Sequence, residues 1–288
     1  SGSDHPVVSV VMPIGGIDEF LPQQLDALAE QDFDQPWELV LSMNQPGTTR
    51  DPAVAAARLH PLATSLIVDS SDERSAAHAR NVGARAATAK LLAFCDADDI
   101  VEPTWLRALV ESLGSHAAVG GYLDERRLSP PGQERWRPPA TPDELPSYLG
   151  HRYPVSANMA TTREAFDAVD GFVEGLTRCE DIAFGWALAD AGIDLAYAPD
   201  AVVHYRHRPG LWTMVRQHHY YGIGMTEVIE RHGLPGGAQP SGLLQANKQR
   251  VTQRSVIHIL RRGAIASGRL RGLAQERLTR RHRTQAAR

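Results

Sequence analysis

Short, β-branched apolar runs alternate with stretches of helical periodicity as far as residue 123. Val7-Val8-Ser9-Val10-Val11-Met12, ended by Pro13, reads as a buried strand. Phe20, Leu21, Leu25 and Leu28 stand at helical spacing and predict a helix over 18–31. Glu38-Leu39-Val40-Leu41-Ser42 forms a second strand, turned by Asn44-Gln45-Pro46-Gly47. An alanine-rich helix over 52–62, a strand over 65–68, a small-residue helix over 75–89 and a strand over 90–95 continue the alternation. A helix over 103–113 opens on Pro103, and a fifth strand spans 117–123. This order predicts an α/β fold with a mostly parallel sheet, whose buried strands read as continuous apolar runs.

From 124 to 154 the pattern fails among Pro130, Pro131, Pro138, Pro139, Pro142, Pro146 and Pro154, as in a functional or irregular loop. Helices return over 162–168 and 180–191, a short strand over 195–197, and helices over 210–232 and 243–265. Of the 288 residues, 42% are hydrophobic and 22% charged, the profile of a soluble globular protein. No apolar run reaches the length of a membrane span, and residues 1–6, which read as the remnant of a tag, lack the features of a signal peptide. With only Cys95 and Cys179, both expected to be reduced thiols, a cytoplasmic placement follows. Charge is divided. Residues 248–288 hold Lys248 and eleven arginines against Glu276, a charge of +11, leaving −15 on the remainder of a chain whose net charge is −4. The basic tail, with leucines at 260, 270, 273 and 278, reads as a basic amphipathic helix able to meet an anionic inner membrane face, or as a solvated terminus. Nucleic acid is not expected as a partner, because the acidic body opposes it.

Four groups of residues carry candidate chemistry. Asp96-Ala97-Asp98-Asp99 follows an apolar strand directly, either as oxygen ligands for a hard cation such as Mg²⁺ or Mn²⁺ or as a solvated, helix-capping turn. Glu180-Asp181 opens a helix, where a carboxylate serves as a dipole-stabilising cap, a general base, or both. His204 and His207, interleaved with Arg206 and Arg208, are an anion or metal contact or ordinary polar residues. Arg80, in a helix of small residues, faces a phosphate or carboxylate, or belongs to a tightly packed surface helix. Further on, Trp212, Met214, His218, Tyr220, Tyr221 and Met225 form a helix whose aromatic faces pack against the sheet or wall an acceptor.

In this order the motifs resemble the inverting family 2 glycosyltransferases of GT-A fold, over roughly residues 7–208. The carriers are Val8-Ser9-Val10-Val11-Met12-Pro13, Ala79-Arg80-Asn81-Val82-Gly83, the strand ending in Asp96-Ala97-Asp98, Gly171-Phe172 and Glu180-Asp181 with His204 downstream. The resemblance implies a GT-A domain over 1–208, a C-terminal helical region over 209–288, and sugar transfer with inversion from a nucleotide-diphosphate sugar to an acceptor hydroxyl. The acceptor would be a glycan, a lipid-linked or a small molecule. Asp98, Asp96 and His204 would bind Mn²⁺ or Mg²⁺. Pro13, Asn44, Arg80, Asp96, Ala97 and Asp98 would hold the donor. Asp181 would be the base, and Glu180, Trp212 and Tyr220 would meet the acceptor. The chain departs from the family's pattern at Met43-Asn44-Gln45-Pro46-Gly47, where an Asp-rich turn is usual, at Ile14-Gly15-Gly16, and at Asp170. The competing expectations are a nucleotidyltransferase, a non-catalytic nucleotide-sugar binding module, and a membrane-docking protein.

Overall fold

The computed structural model describes residues 5–47, 58–129, 144–233 and 256–286, with side chains of the last helix described over 259–275. In chain order the elements are β1 (Val8–Ile14), α1 (Leu21–Ala29), β2 (Trp37–Met43), β3 (Ala63–Asp69), α2 (Ala76–Ala86) and β4 (Leu91–Cys95). Then come β5 (Ile100–Val101), α3 (Trp105–Leu113), β6 (Ala118–Asp124), β7 (Ser147–Tyr148), β8 (His151–Arg152) and β9 (Asn158–Thr162). The chain continues through α4 (Arg163–Ala168), α5 (Glu180–Asp190), β10 (Leu195–His204), α6 (Leu211–His232) and α7 (Val256–Ala286).

One sheet of eight strands, ordered β3-β2-β1-β4-β9-β6-β10-β5, runs through the molecule. β1 to β4 are mutually parallel, as are β6 and β10. β9 runs antiparallel between β4 and β6, and β5 closes the far edge antiparallel to β10. Alternating side chains divide the core in two. Val10, Met12, Leu39 and Leu41 meet Leu25 of α1 and Trp105 of α3 on one face. Val11, Val40 and Phe94 meet Ala84 of α2, Phe166 of α4 and Phe184 of α5 on the other. Both faces are covered, so β1 and β2 are buried along their whole length and β4 from its second residue on, and all three are mostly apolar.

The α/β expectation holds, with several differences. β3 is an edge strand and half exposed, with Ile67 40% accessible, so it alternates rather than reading as a buried run. β9 carries no apolar run; its place between β4 and β6 rests on pairing with two neighbours. β10 reaches His204, with a bulge between Ala198 and Val202. Buried Asn158 pins that bulge, donating to the Tyr122 and Ala201 carbonyls (both 2.8 Å) and accepting from Trp105 Nε1. Residues 58–62, expected helical, are coil and turn; the rest of that expected helix lies outside the described residues. The expected helix over 243–265 begins at Val256, and 243–255 lie outside the described residues. In the proline-rich stretch, 130–143 lie outside the described residues and β7–β8 form a hairpin.

Within the basic tail, Val256–Ala286 form the helix α7. α7 packs along α6 in parallel: Arg261 meets His218, Gly222 lies against Ile265, and Gly272 against Thr226. Gly268 makes this approach possible, since a Cβ there would lie 1.9 Å from the His219 carbonyl oxygen. Among the described residues, no helix is long and apolar enough to cross a membrane.

Gly83 sets how closely α2 approaches the sheet, because a Cβ there would lie 2.5 Å from Val11 Cγ1. Gly83→Ala is expected to destabilise the protein by about 1–3 kcal/mol through overpacking, read as a lower denaturation midpoint in urea.

Candidate active site

The acidic turn lies beyond the carboxyl end of β4, where open α/β sheets bind ligands. Two polar side chains set its backbone. Gln24 of α1, fully buried, donates to the Asp96 carbonyl (2.9 Å) and accepts from Val101 N. Arg206 donates through its backbone N to Asp99 Oδ1 (2.7 Å) and through Nε to the Asp98 carbonyl (2.8 Å), and its guanidinium lies 4.0 Å from the centre of the Phe20 ring.

Arg80, 2% exposed, lies between the turn and α5. It donates to Asp96 Oδ1 (2.6 Å) and Glu180 Oε1 (3.1 Å), 5.6 Å from the centre of the Phe172 ring. Burial disfavours its charge, yet the two carboxylates raise its pKa above the ordinary value. Its neighbours in α2 explain themselves. Ser75 caps the helix through His78 N, and Asn81 pairs with both the N–H and the carbonyl of Phe172. His78 bridges Asp72 and Glu174.

The remaining carboxylates lack such partners. Oxygens of Asp96, Asp98 and Asp99 lie within 4.8 Å of one another. Burial and then Asp96 push Asp98 up to about 6. Burial, Asp96 and Asp98 raise Asp99 well above the carboxylate range, and its buried Oδ2 has no hydrogen-bond partner. An all-oxygen set short of positive charge, with one orphaned buried oxygen, fits a hard divalent cation.

At the start of α5, Cys179 adopts a left-handed conformation (φ 72°). Such a backbone costs on the order of 1 kcal/mol or more and persists only where its surroundings impose it. Here α6 imposes it. Glu227 accepts from both the N–H and the hydroxyl of Thr177, and a Cβ at Gly224 would lie 2.3 Å from the Arg178 carbonyl oxygen. The turn delivers Glu180 to Arg80 and leaves Asp181 half-buried, its Oδ1 accepting only the adjacent Ile182 N–H among the described hydrogen bonds. Burial and then Glu180 push Asp181 up to about 7.

Two cavities meet at Asp181. The first, about 480 Å³, is lined by Asp96, Asp98, Arg80, Glu180, Arg208 and Arg216 among others. The second, about 560 Å³, is walled by Tyr122, Tyr153, Tyr197, Leu145 and Met225, with Arg261 of α7 at its margin. Asp181, Tyr205, His207 and Tyr221 line both.

Asp96, Asp98, Arg80, Glu180, Asp181 and Tyr220 therefore come together in one cavity. His204 does not join them. Its Nδ1 meets Asp124 (2.8 Å) and its Nε2 meets Glu102, so both ring nitrogens are engaged, and it is His207 that lines both cavities. Trp212 lines neither cavity and is 79% exposed. Glu180 is engaged by Arg80, and Tyr220 stands on the side of the acidic turn, away from the tyrosine-rich cavity. His218, Tyr221 and Met225 form that cavity's α6 wall. Their spacing by three and four residues was the available signal, since it places them on one helix face and Trp212 and Tyr220 on others. Pro13 and Asn44 end β1 and β2 at the same sheet edge as the acidic turn. The Asn44 amide donates to the Ser70 and Glu73 carbonyls (2.5 and 2.7 Å), and Ala97 packs on the core. Both cysteines are buried free thiols.

A mostly parallel sheet whose strand ends present a carboxylate cluster, with a second carboxylate on a following helix, defines the GT-A class of glycosyltransferases. Residues 9–169 match the model of glycosyl transferase family 2, and the chain belongs to that family. It is 28% identical over 172 residues to the pre-mycofactocin glycosyltransferase of Mycobacterium tuberculosis, in strains CDC 1551 and H37Rv alike. The match covers 54% of this chain and 35% of that protein, so the chain spans about a third of the curated relatives it matches. Its fold is similar to that of mannosyltransferase PcManGT from Pyrobaculum calidifontis, solved with GDP-Man and Mn²⁺, at a TM-score of 0.60 and 21% identity over 98% of this chain and 80% of that one. S. aureus TarS 1–349 is similar at a TM-score of 0.52 and 17% identity, over 94% and 91%.

Replacing Arg80 leaves two carboxylates without their shared cation. Arg80→Met is expected to cost about 3 kcal/mol in urea denaturation. Arg80→Lys should recover only part of this, because one ammonium cannot reproduce the forked pairing.

Proposed function

We propose that the chain transfers a sugar, with inversion and metal assistance, from a nucleotide-diphosphate donor to an acceptor hydroxyl. The observation that carries this reading is the position of Asp181, a half-buried carboxyl raised to about 7, where the two cavities meet. The cavity with the acidic turn takes the donor. Asp98 and Asp96, joined by Asp99, hold Mn²⁺ or Mg²⁺, and Arg208 and Arg216 face the diphosphate. When bound, the cation neutralises charge on the departing diphosphate. Arg80 orients Asp96 and Glu180, and Arg206 keeps the turn in register.

The tyrosine-walled cavity takes the acceptor. Asp181 removes the proton of the acceptor hydroxyl as its oxygen bonds to the anomeric carbon. The bond to the diphosphate oxygen breaks on the opposite face, which inverts the centre. A base with a pKa near 7 is well matched to neutral pH. The Pyrobaculum neighbour, bound to GDP-Man and Mn²⁺, is consistent with this chemistry. Residues 1–208 form the catalytic unit and 209–288 a helical extension that completes the acceptor wall. Cytoplasmic placement belongs to the same reading. No observation favours the nucleotidyltransferase reading.

Two measurements test the proposal. Asp181→Asn should lower nucleoside diphosphate release from a nucleotide-sugar panel by about 10²–10⁴-fold, while Mn²⁺-dependent thermal stabilisation by the same nucleotide survives. Equal turnover in the variant would remove Asp181 from the chemistry, and Asp98→Ala should abolish the stabilisation. Because the base works deprotonated, kcat/KM in the wild type should rise with pH through about 7 and level off above it. A profile flat from pH 5 to 9 would contradict the assignment.

A further inference from the structure

α7 presents two unlike faces. Ala264, Gly268 and Gly272 are buried on the side toward α6. Ile259, Ala266, Leu270 and Leu273 project from the opposite side, within an arc of about 60° at 100° per residue. Three of them are large and open to solvent: Ile259 is 62% exposed, Leu270 69% and Leu273 38%. Exposed Arg262 borders this ridge, and exposed Arg271 lies about 100° further round the helix from Leu270. Across its whole length the helix carries eight arginines and one acid, Glu276, while the chain outside 248–288 is strongly acidic. The parallel register of α6 and α7, with His218 opposite Arg261, sets Trp212 at the Ile259 end of the pair, 79% exposed.

We propose that this face of α7 docks on an anionic membrane surface. An apolar ridge on an arginine-rich helix matches the boundary between acyl chains and headgroups: the leucines enter the boundary and the long guanidinium side chains reach lipid phosphates. A tryptophan at the edge suits the same layer. The acidic remainder is repelled by such a surface, so the charge distribution also orients the molecule with α7 toward the bilayer. A nucleic acid would meet the arginines and leave the leucine ridge in water.

Vesicle flotation of the full chain tests this, with phosphatidylcholine vesicles and with vesicles that also contain phosphatidylglycerol. The protein is expected to float with the anionic vesicles only, less so as salt rises. Leu270→Asp with Leu273→Asp, and separately Arg262→Glu with Arg271→Glu, should each lower the partition coefficient by roughly tenfold or more. Thermal midpoints, with and without Mn²⁺ and nucleotide, report whether the variants remain folded and keep the donor site, so a failure of docking is separable from a failure of the proposed chemistry. Wild-type protein that stays at the bottom of the gradient at low salt overturns the proposal. Flotation unchanged in both pairs of variants also overturns it. So does a non-floating dimer that Leu270→Asp with Leu273→Asp dissociates, which would assign the face to a second copy of the chain.

Discussion

The Arg80 guanidinium joins the end of β4 to the start of α5, and the rest of the site is arranged around that ion triad. Charges removed from water are costly unless paired and hydrogen-bonded. One cation here serves two carboxylates from segments far apart in sequence. It does not serve the others. Asp98, Asp99 and Asp181 remain without a comparable partner, and all three are pushed above the ordinary carboxylate range. The protein thus neutralises the carboxylates that position the site and leaves acidic oxygens facing the cavities. The same arrangement that makes a hard cation welcome at the acidic turn makes Asp181 willing to take a proton near neutrality.

The C-terminal helices are structural parts of this arrangement. Glu227 and Gly224 of α6 hold the strained turn at Cys179, and Tyr221 lines both cavities. α7 adds Arg261 to the margin of the tyrosine-walled cavity and ties the β7–β8 hairpin through Arg269 to the Tyr148 hydroxyl (3.1 Å), beside the Tyr148–Trp186 stack. Its inner face is glycine and alanine because the helices touch there. Its outer face has no such constraint, which makes the leucines and arginines found there informative.

Particular residues show how far the sequence could be read. β1, β2 and β4 were legible because burial on both faces demands mostly apolar runs, with the few polar residues paired, as Ser9 is with Glu38. Asp96, Asp98, Arg80 and Asp181 were legible as motifs. β9 was not, because a strand held by two neighbours needs no apolar run of its own. Arg206 and Gln24 were not assigned their roles, because bracing a turn through backbone atoms leaves no pattern in residue type. His204 looked like a ligand, but two carboxylates from other segments take its ring nitrogens.

The sequence by itself determined the alternation of strands and helices, the acidic turn after a buried strand and the division of charge between body and tail. These are local properties, set by periodicity and by neighbours along the chain. Tertiary structure alone decided which carboxylates share Arg80, which histidine lines both cavities, which face of α6 walls them and which face of α7 stays open. Those outcomes depend on pairing between residues up to a hundred or more positions apart, and burial, which sets the protonation of Asp181, exists only once that pairing is made.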